Sequence, residues 1–198
     1  MHILMVSAEM APLVKVGGLG DVVGALSAAL ASRGHEVHVV VPLYGHLDRQ
    51  RLGLVRDATL AVLPLRVGQR QVVTRFWRWP HTPDRVTVHL VACDAFFGRP
   101  GVYLDAEGMT FPDTIDRSSC LCQAALALPE QLSWPVDIVH AHDVHAALAI
   151  VYRHRWYGGA QLPGTGATLL TIHNLAHQEI HPAAQVQRTG LPADLVTY

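Results

Sequence analysis

Residues 15–21, Lys-Val-Gly-Gly-Leu-Gly-Asp, combine the chemistry an anion needs with a backbone able to deliver it. Adjacent Gly17 and Gly18 let main chain approach a ligand closely. The helix opening behind them offers unpaired N–H groups and the positive end of a dipole. Lys15 adds a full charge, and Asp21 closes the stretch. A diphosphate fits this chemistry; the competing reading is a glycine-rich turn that only reverses the chain.

Two histidine clusters follow. His140-Ala-His142-Asp143-Val-His145 has the order H-x-H-D-x-H, near to but not matching the H-x-H-x-D-H of binuclear metallohydrolases. Its readings are a helix cap on Asp143 with hydrogen-bonded histidines, a polar ligand edge, or a metal site lacking a second ligand set. In Thr171–Gln178, His173 and Asn174 fall where a ring nitrogen and an amide would hold a sugar hydroxyl; a lone strand-end histidine is otherwise structural.

Alternating strands and helices must carry these groups. Ile3–Ser7, Glu36–Val41, Val86–Ala92, Val136–His140 and Ala167–Ile172 are apolar runs of strand length, the last read as buried. Gly18–Arg33 carries a helical stripe (Leu19, Val22, Val23, Leu26, Ala29, Leu30) capped by Gly34. Asp113–Leu132 and Ala146–Trp156 read as helices, 58–79 as an edge hairpin turning near Gly68, and Gly158–Gly166 as a loop. Strands that are apolar nearly throughout, separated by helices, predict an α/β fold: a Rossmann-like parallel sheet with helices on both faces. Ligands bind such sheets at the carboxyl ends of the strands, which gathers Ser7–Gly20, His140–His145 and His173–Gln178 on one rim. Gly18, Gly20 and Gly24 invite a nicotinamide-cofactor reading. Against it, Ala8–Gly17 intervenes after the first strand, and the second strand ends Val40-Val41-Pro42 with no ribose-binding acid. No Gly-Lys-Ser/Thr loop occurs.

The 198 residues suit one domain, or one and a fraction; half are hydrophobic and the formal net charge is −1. No apolar run approaches the roughly 20 residues that span a bilayer. The even charge argues against nucleic acid and anionic membranes as partners. Three cysteines, with Cys120 and Cys122 two apart on a helix, do not suggest a disulfide framework or a zinc knuckle, so the cytoplasm is the expected compartment.

Four ordered segments carry a resemblance: Ser7–Pro12, Lys15–Val22, Asp137–Asp143 and Thr171–Ala176, with Phe97–Tyr103 a weaker addition. The chain resembles the first domain of bacterial glycogen synthase and plant starch synthase, glycosyltransferase family 5. The resemblance implies the N-terminal half of a GT-B fold. It also implies retaining transfer of glucose from ADP-glucose to the non-reducing end of an α-1,4-glucan in glycogen biosynthesis, with neither metal nor cofactor. By the same resemblance Lys15, Gly17 and Gly18 bind the sugar nucleotide near its phosphates, with Asp21 and Asn174 as further substrate-binding positions. His173 lies near the transferred glucose and Asp143 is an active-site aspartate. No residue identifies itself as a carboxylate nucleophile, and a front-face route assisted by the leaving group is commonly favoured in this family. Val144 stands where the family usually has Trp, and His177-Gln178-Glu179 replaces Tyr-Gln-Gly. Residues 1–198 are expected to form the acceptor-side domain, incomplete, with the C-terminal nucleotide-binding domain outside the chain and little activity in isolation. Two other readings stay open: a non-catalytic glucan-binding or regulatory remnant, and a metallohydrolase centred on His140, His142 and His145.

Overall fold

Short apolar runs bounded by Gly, Pro or polar residues become strands, and the longer periodic segments between them become helices. The computed structural model describes residues 1–156 and 166–195. In chain order the elements are β1 (His2–Val6), α1 (Gly18–Ser32), β2 (Glu36–Pro42), β3 (Val55–Arg56), β4 (Leu63–Val67), β5 (Arg70–Trp79), β6 (Val86–Ala92), α2 (Thr114–Leu132), β7 (Ile138–His142), α3 (Val144–Trp156), β8 (Ala167–Thr171) and α4 (Ala183–Val186), with short 3-10 turns near the end.

The sheet runs β3-β5-β6-β2-β1-β7-β8, with β4 paired to β5. From β6 to β8 the pairing is parallel, and β5 joins β6 antiparallel. The chain steps from β1 to β2 in one direction and from β7 to β8 in the other. Right-handed crossovers therefore put α1 and α3 on opposite faces. Helix α1 packs on β2 and β6; α2 and α3 pack on each other over β1, β2, β7 and β8. The central strands are buried on both sides, Leu4, Met5, Val6, Val39, Val40 and Val41 completely. The expected fold class holds, with an antiparallel edge formed by the hairpin of β4 and β5, whose turn places Gly68 at φ 59°.

Three details differ from the sequence reading. Strand β7 runs on to His142, and α3 begins at Val144, directly after it. The buried stripe of α1 is Leu19, Gly20, Val23, Ser27 and Ala31, while Val22 is exposed, because small residues let the preceding loop lie flat on the helix. Strand β8 is not buried. It is the sheet's edge, with Leu169 49%, Leu170 41% and the following Ile172 47% exposed. The loop expected at 158–166 lies outside the described residues except for Gly166.

At the amino end of the sheet the buried histidines are structural. His38 stacks on Trp134 with ring centroids 4.0 Å apart, and its Nδ1 lies 3.1 Å from His89 Nε2. Trp134 Nε1 donates to Glu36 at 2.8 Å. Burial lowers His38 to about 4 against the raising effect of Glu36, and burial, then the neighbouring His38, lowers His89 to about 3.

Candidate functional site

The direction of winding reverses at β1, so the loops after β1 and β7 border the crevice where doubly wound sheets take ligands. The loop after β1 is built around Glu9, which is 2% exposed. Its Oε2 accepts the N–H groups of Val16 (2.5 Å) and Gly17 (3.0 Å), and its Oε1 accepts the Tyr103 hydroxyl at 2.5 Å. Burial and this carboxylate push the Tyr103 phenol up, so it remains the donor. Met10 and Val14 exchange backbone hydrogen bonds, and Ala11 N–H donates to Gly20 O at 2.9 Å. A Cβ on Gly20 would lie 2.9 Å from Val14 O, and one on Gly24 2.7 Å from Ala11 O, whereas Gly17 and Gly18 have nothing within 4 Å of that position. The glycines therefore divide: Gly20 and Gly24 let loop and helix touch, while Gly17 and Gly18 leave open space.

This changes the expected cradle. The Gly17 amide is taken by Glu9 and is not available to a ligand. The N–H groups of Gly18, Leu19 and Gly20 remain, since the first turn of α1 has no intrahelical acceptor and Gly17 supplies no side-chain cap. Lys15 Nζ lies 2.8 Å from Asp21 Oδ2, both side chains more than half exposed. Such a pair contributes about 0–1 kcal/mol, so Lys15 can turn to another anion at little cost.

On the neighbouring strands Asp143 adopts φ 59°. Its carboxylate does not cap α3, one of the readings the sequence leaves open, but accepts the backbone N–H of His173 at 2.7 Å, joining the ends of β7 and β8. His142 Nδ1 lies 3.0 Å from His173 Nε2, and His140 Nε2 2.7 Å from Thr171 Oγ1. Burial, then the adjacent rings, lowers His142 to about 3; burial and His173 lower His140. Among the described residues no three His, Cys, Asp or Glu side chains are grouped to hold a metal ion. Asn174 Oδ1 accepts the Ala176 N–H at 2.9 Å, which leaves its exposed NH2 as the group it can offer.

A line of contacts joins the two parts. Tyr103, held by Glu9, lies 4.7 Å from the His145 ring. His145 Nε2 is 3.7 Å from Glu179, and Glu179 is 2.9 Å from His181. The acid that stands in place of the family's glycine thus sits between two imidazoles. Val144, His177 and Glu179, the positions of departure, line an open pocket of about 130 Å³ with Asp143, Asn174 and Gln178. Sequence reasoning missed Glu9 and Tyr103 as parts of the site. The available cue was an acid flanked by apolar residues immediately beyond a buried strand.

Sheet, switch point and polar rim define a Rossmann-like α/β domain with its crevice at the carboxyl edge. The chain belongs to the starch synthase catalytic domain family, whose model matches residues 2–198. It is 36% identical over 185 residues to glycogen synthase 1 of Geobacter sulfurreducens, covering 93% of this chain and 36% of that protein. It is 40% identical over 200 residues to the glycogen synthase of Anaeromyxobacter sp., covering 100% of this chain and 40% of that one. The catalytic domain of starch synthase IV from Arabidopsis thaliana, bound to ADP and acarbose, superposes with a TM-score of 0.85 at 28% identity, over 98% of this chain and 38% of its own. The fold is thus one Rossmann-like half of the GT-B architecture. The chain spans less than half the length of these relatives.

Proposed function

We propose that this chain forms the N-terminal, acceptor-side half of a glycogen synthase. The complete enzyme transfers glucose from ADP-glucose to the non-reducing end of an α-1,4-glucan with retention, in the cytoplasm. What supports this reading is that the loop carrying Lys15 and the uncapped start of α1 follows β1, while the Asp143–His173 pair follows the neighbouring β7 and β8, all at the carboxyl edge beside the switch point. As the anomeric carbon becomes cationic, the departing diphosphate gains charge that Lys15 and the N–H groups of Gly18, Leu19 and Gly20 are placed to stabilise. Asp21 holds Lys15 until the anion arrives.

His142 fixes what His173 offers. Its Nε2 is buried without a partner among the described residues. Placing its hydrogen on Nδ1 leaves a bare lone pair at Nε2 instead of an unmade donor. His142 then donates to His173 Nε2, and neutral His173 carries its hydrogen on Nδ1, ready for a sugar oxygen. The Asp143 carboxylate, bonded to the His173 amide, acts as a positioning group and not as the nucleophile of a double displacement.

The cleft needs a second wall, supplied by polypeptide beyond these 198 residues. Transfer of radiolabelled glucose from ADP-glucose into glycogen tests the reading. The chain alone is expected to be inactive and a two-domain enzyme containing it active. Robust incorporation by the isolated chain, or none by the two-domain enzyme, contradicts it. Glycogen binding without turnover in the two-domain enzyme would identify a glucan-binding remnant instead.

A further inference from the structure

Arg117 makes no direct ion pair with any described residue, although Asp113 and Glu179 favour its charge from a distance. It lies early in α2, is 6% exposed, and among the described residues its guanidinium has no carboxylate or hydrogen-bond partner. Its neighbours are ring faces: Phe111 at 4.3 Å, Tyr44 and Phe97 each at 5.8 Å. The acids whose field reaches it are engaged elsewhere, Asp113 with Arg99 at 2.8 and 2.9 Å and Glu179 with His181. Ring faces compensate a buried cation only in part, and a guanidinium does not escape by losing its proton.

The same side chain lines a small, partly open cavity of about 20 Å³, together with Thr114, Ser118, Tyr103 and His145. The hydroxyls of Thr114 and Ser118 have no partner among the described residues. Thr114 also brings the start of the 19-residue α2 to this cavity, and Asp113 makes no side-chain cap there. A full positive charge, two free hydroxyls and the positive end of a helix dipole converge, as anion sites require. The remaining walls, Ala8, Pro42, Val102 and Leu121, are apolar. One cation between apolar walls matches one negative charge and disfavours two.

We propose that this cavity binds a small monoanion, a halide or a short carboxylate, on Arg117 with the Thr114 and Ser118 hydroxyls. The site is separate from the Lys15 loop. Tyr103 forms part of its wall and donates to the carboxylate that holds that loop, so occupancy bears on the loop's scaffold.

Crystals of the chain soaked in sodium bromide provide the direct test. Anomalous density for bromide is expected against the Arg117 guanidinium and the Ser118 hydroxyl. Its loss on adding sodium acetate would identify carboxylate as a guest of the same site, and its persistence a halide site. In solution, the melting temperature is expected to rise more in chloride or acetate than in sulfate of equal ionic strength, and Arg117→Met should abolish that difference. No bromide at Arg117 in the wild-type crystal, or the same anion order in wild type and variant, overturns the proposal. If Arg117→Met fails to fold, the wild-type bromide map decides alone.

Discussion

A single carboxylate organises the loop after β1. Glu9 accepts from two backbone amides and one phenol while almost fully buried. Glu9→Gln keeps the shape but removes the charge from these bonds, so urea denaturation should show a loss of about 1.5–3 kcal/mol. An unchanged unfolding midpoint would mean the loop is held by something else. Lys15 behaves oppositely. Its pair with Asp21 is exposed, so Lys15→Ala should leave stability within about 1 kcal/mol. In a two-domain enzyme the same change should weaken ADP-glucose binding by about 1–3 kcal/mol, read by calorimetry. Equal affinity would remove Lys15 from the proposed phosphate site.

At the level of elements, the glycines of α1 separate packing from function. Gly20→Ala drives a methyl group toward the Val14 carbonyl, and overpacking of this kind costs about 1–3 kcal/mol. Gly18→Ala meets open space and should leave the melting temperature unchanged or slightly higher while hindering any ligand at the helix start. Equal destabilisation by the two would refute the division. The alternation of strands and helices was legible in the sequence because burial on both faces leaves unbroken apolar runs, as in Val37–Val41. Burial of β8 was not. Its apolar run is that of an inner strand, yet the described residues cover only one of its edges. The rim position of Lys15, Asp143 and His173 followed from topology alone. Glu9 and the Asp143–His173 bond did not, because contacts between side chains and distant amides leave no periodic trace. Nor does the pattern of residues around Asp143 distinguish a carboxylate that caps its own helix from one that reaches a neighbouring strand.

For the whole molecule, buried histidines, His140 among them, shape the response to acid. His38, held at about 4, and His89 and His142, each at about 3, remain neutral in the fold at pH values where an unfolded chain, near 6.5, is protonated. Their contribution is intact above about pH 6.5 and is lost as pH falls toward 4 to 3. The slope in that window is about 1.4 kcal/mol per pH unit for each histidine. Denaturation at pH 7, 6 and 5 should record the decline, and His89→Gln should flatten it; a level profile down to pH 5 would contradict the account. The loop after β1 has a different kind of consequence. Stitched to α1 by close backbone contact and to the interior through Glu9, it is no flap. Its shape is settled when the protein folds, so a guest meets a rigid seat and forfeits little disorder on arrival. Any closing motion around that guest must then hinge at some other part of the enzyme.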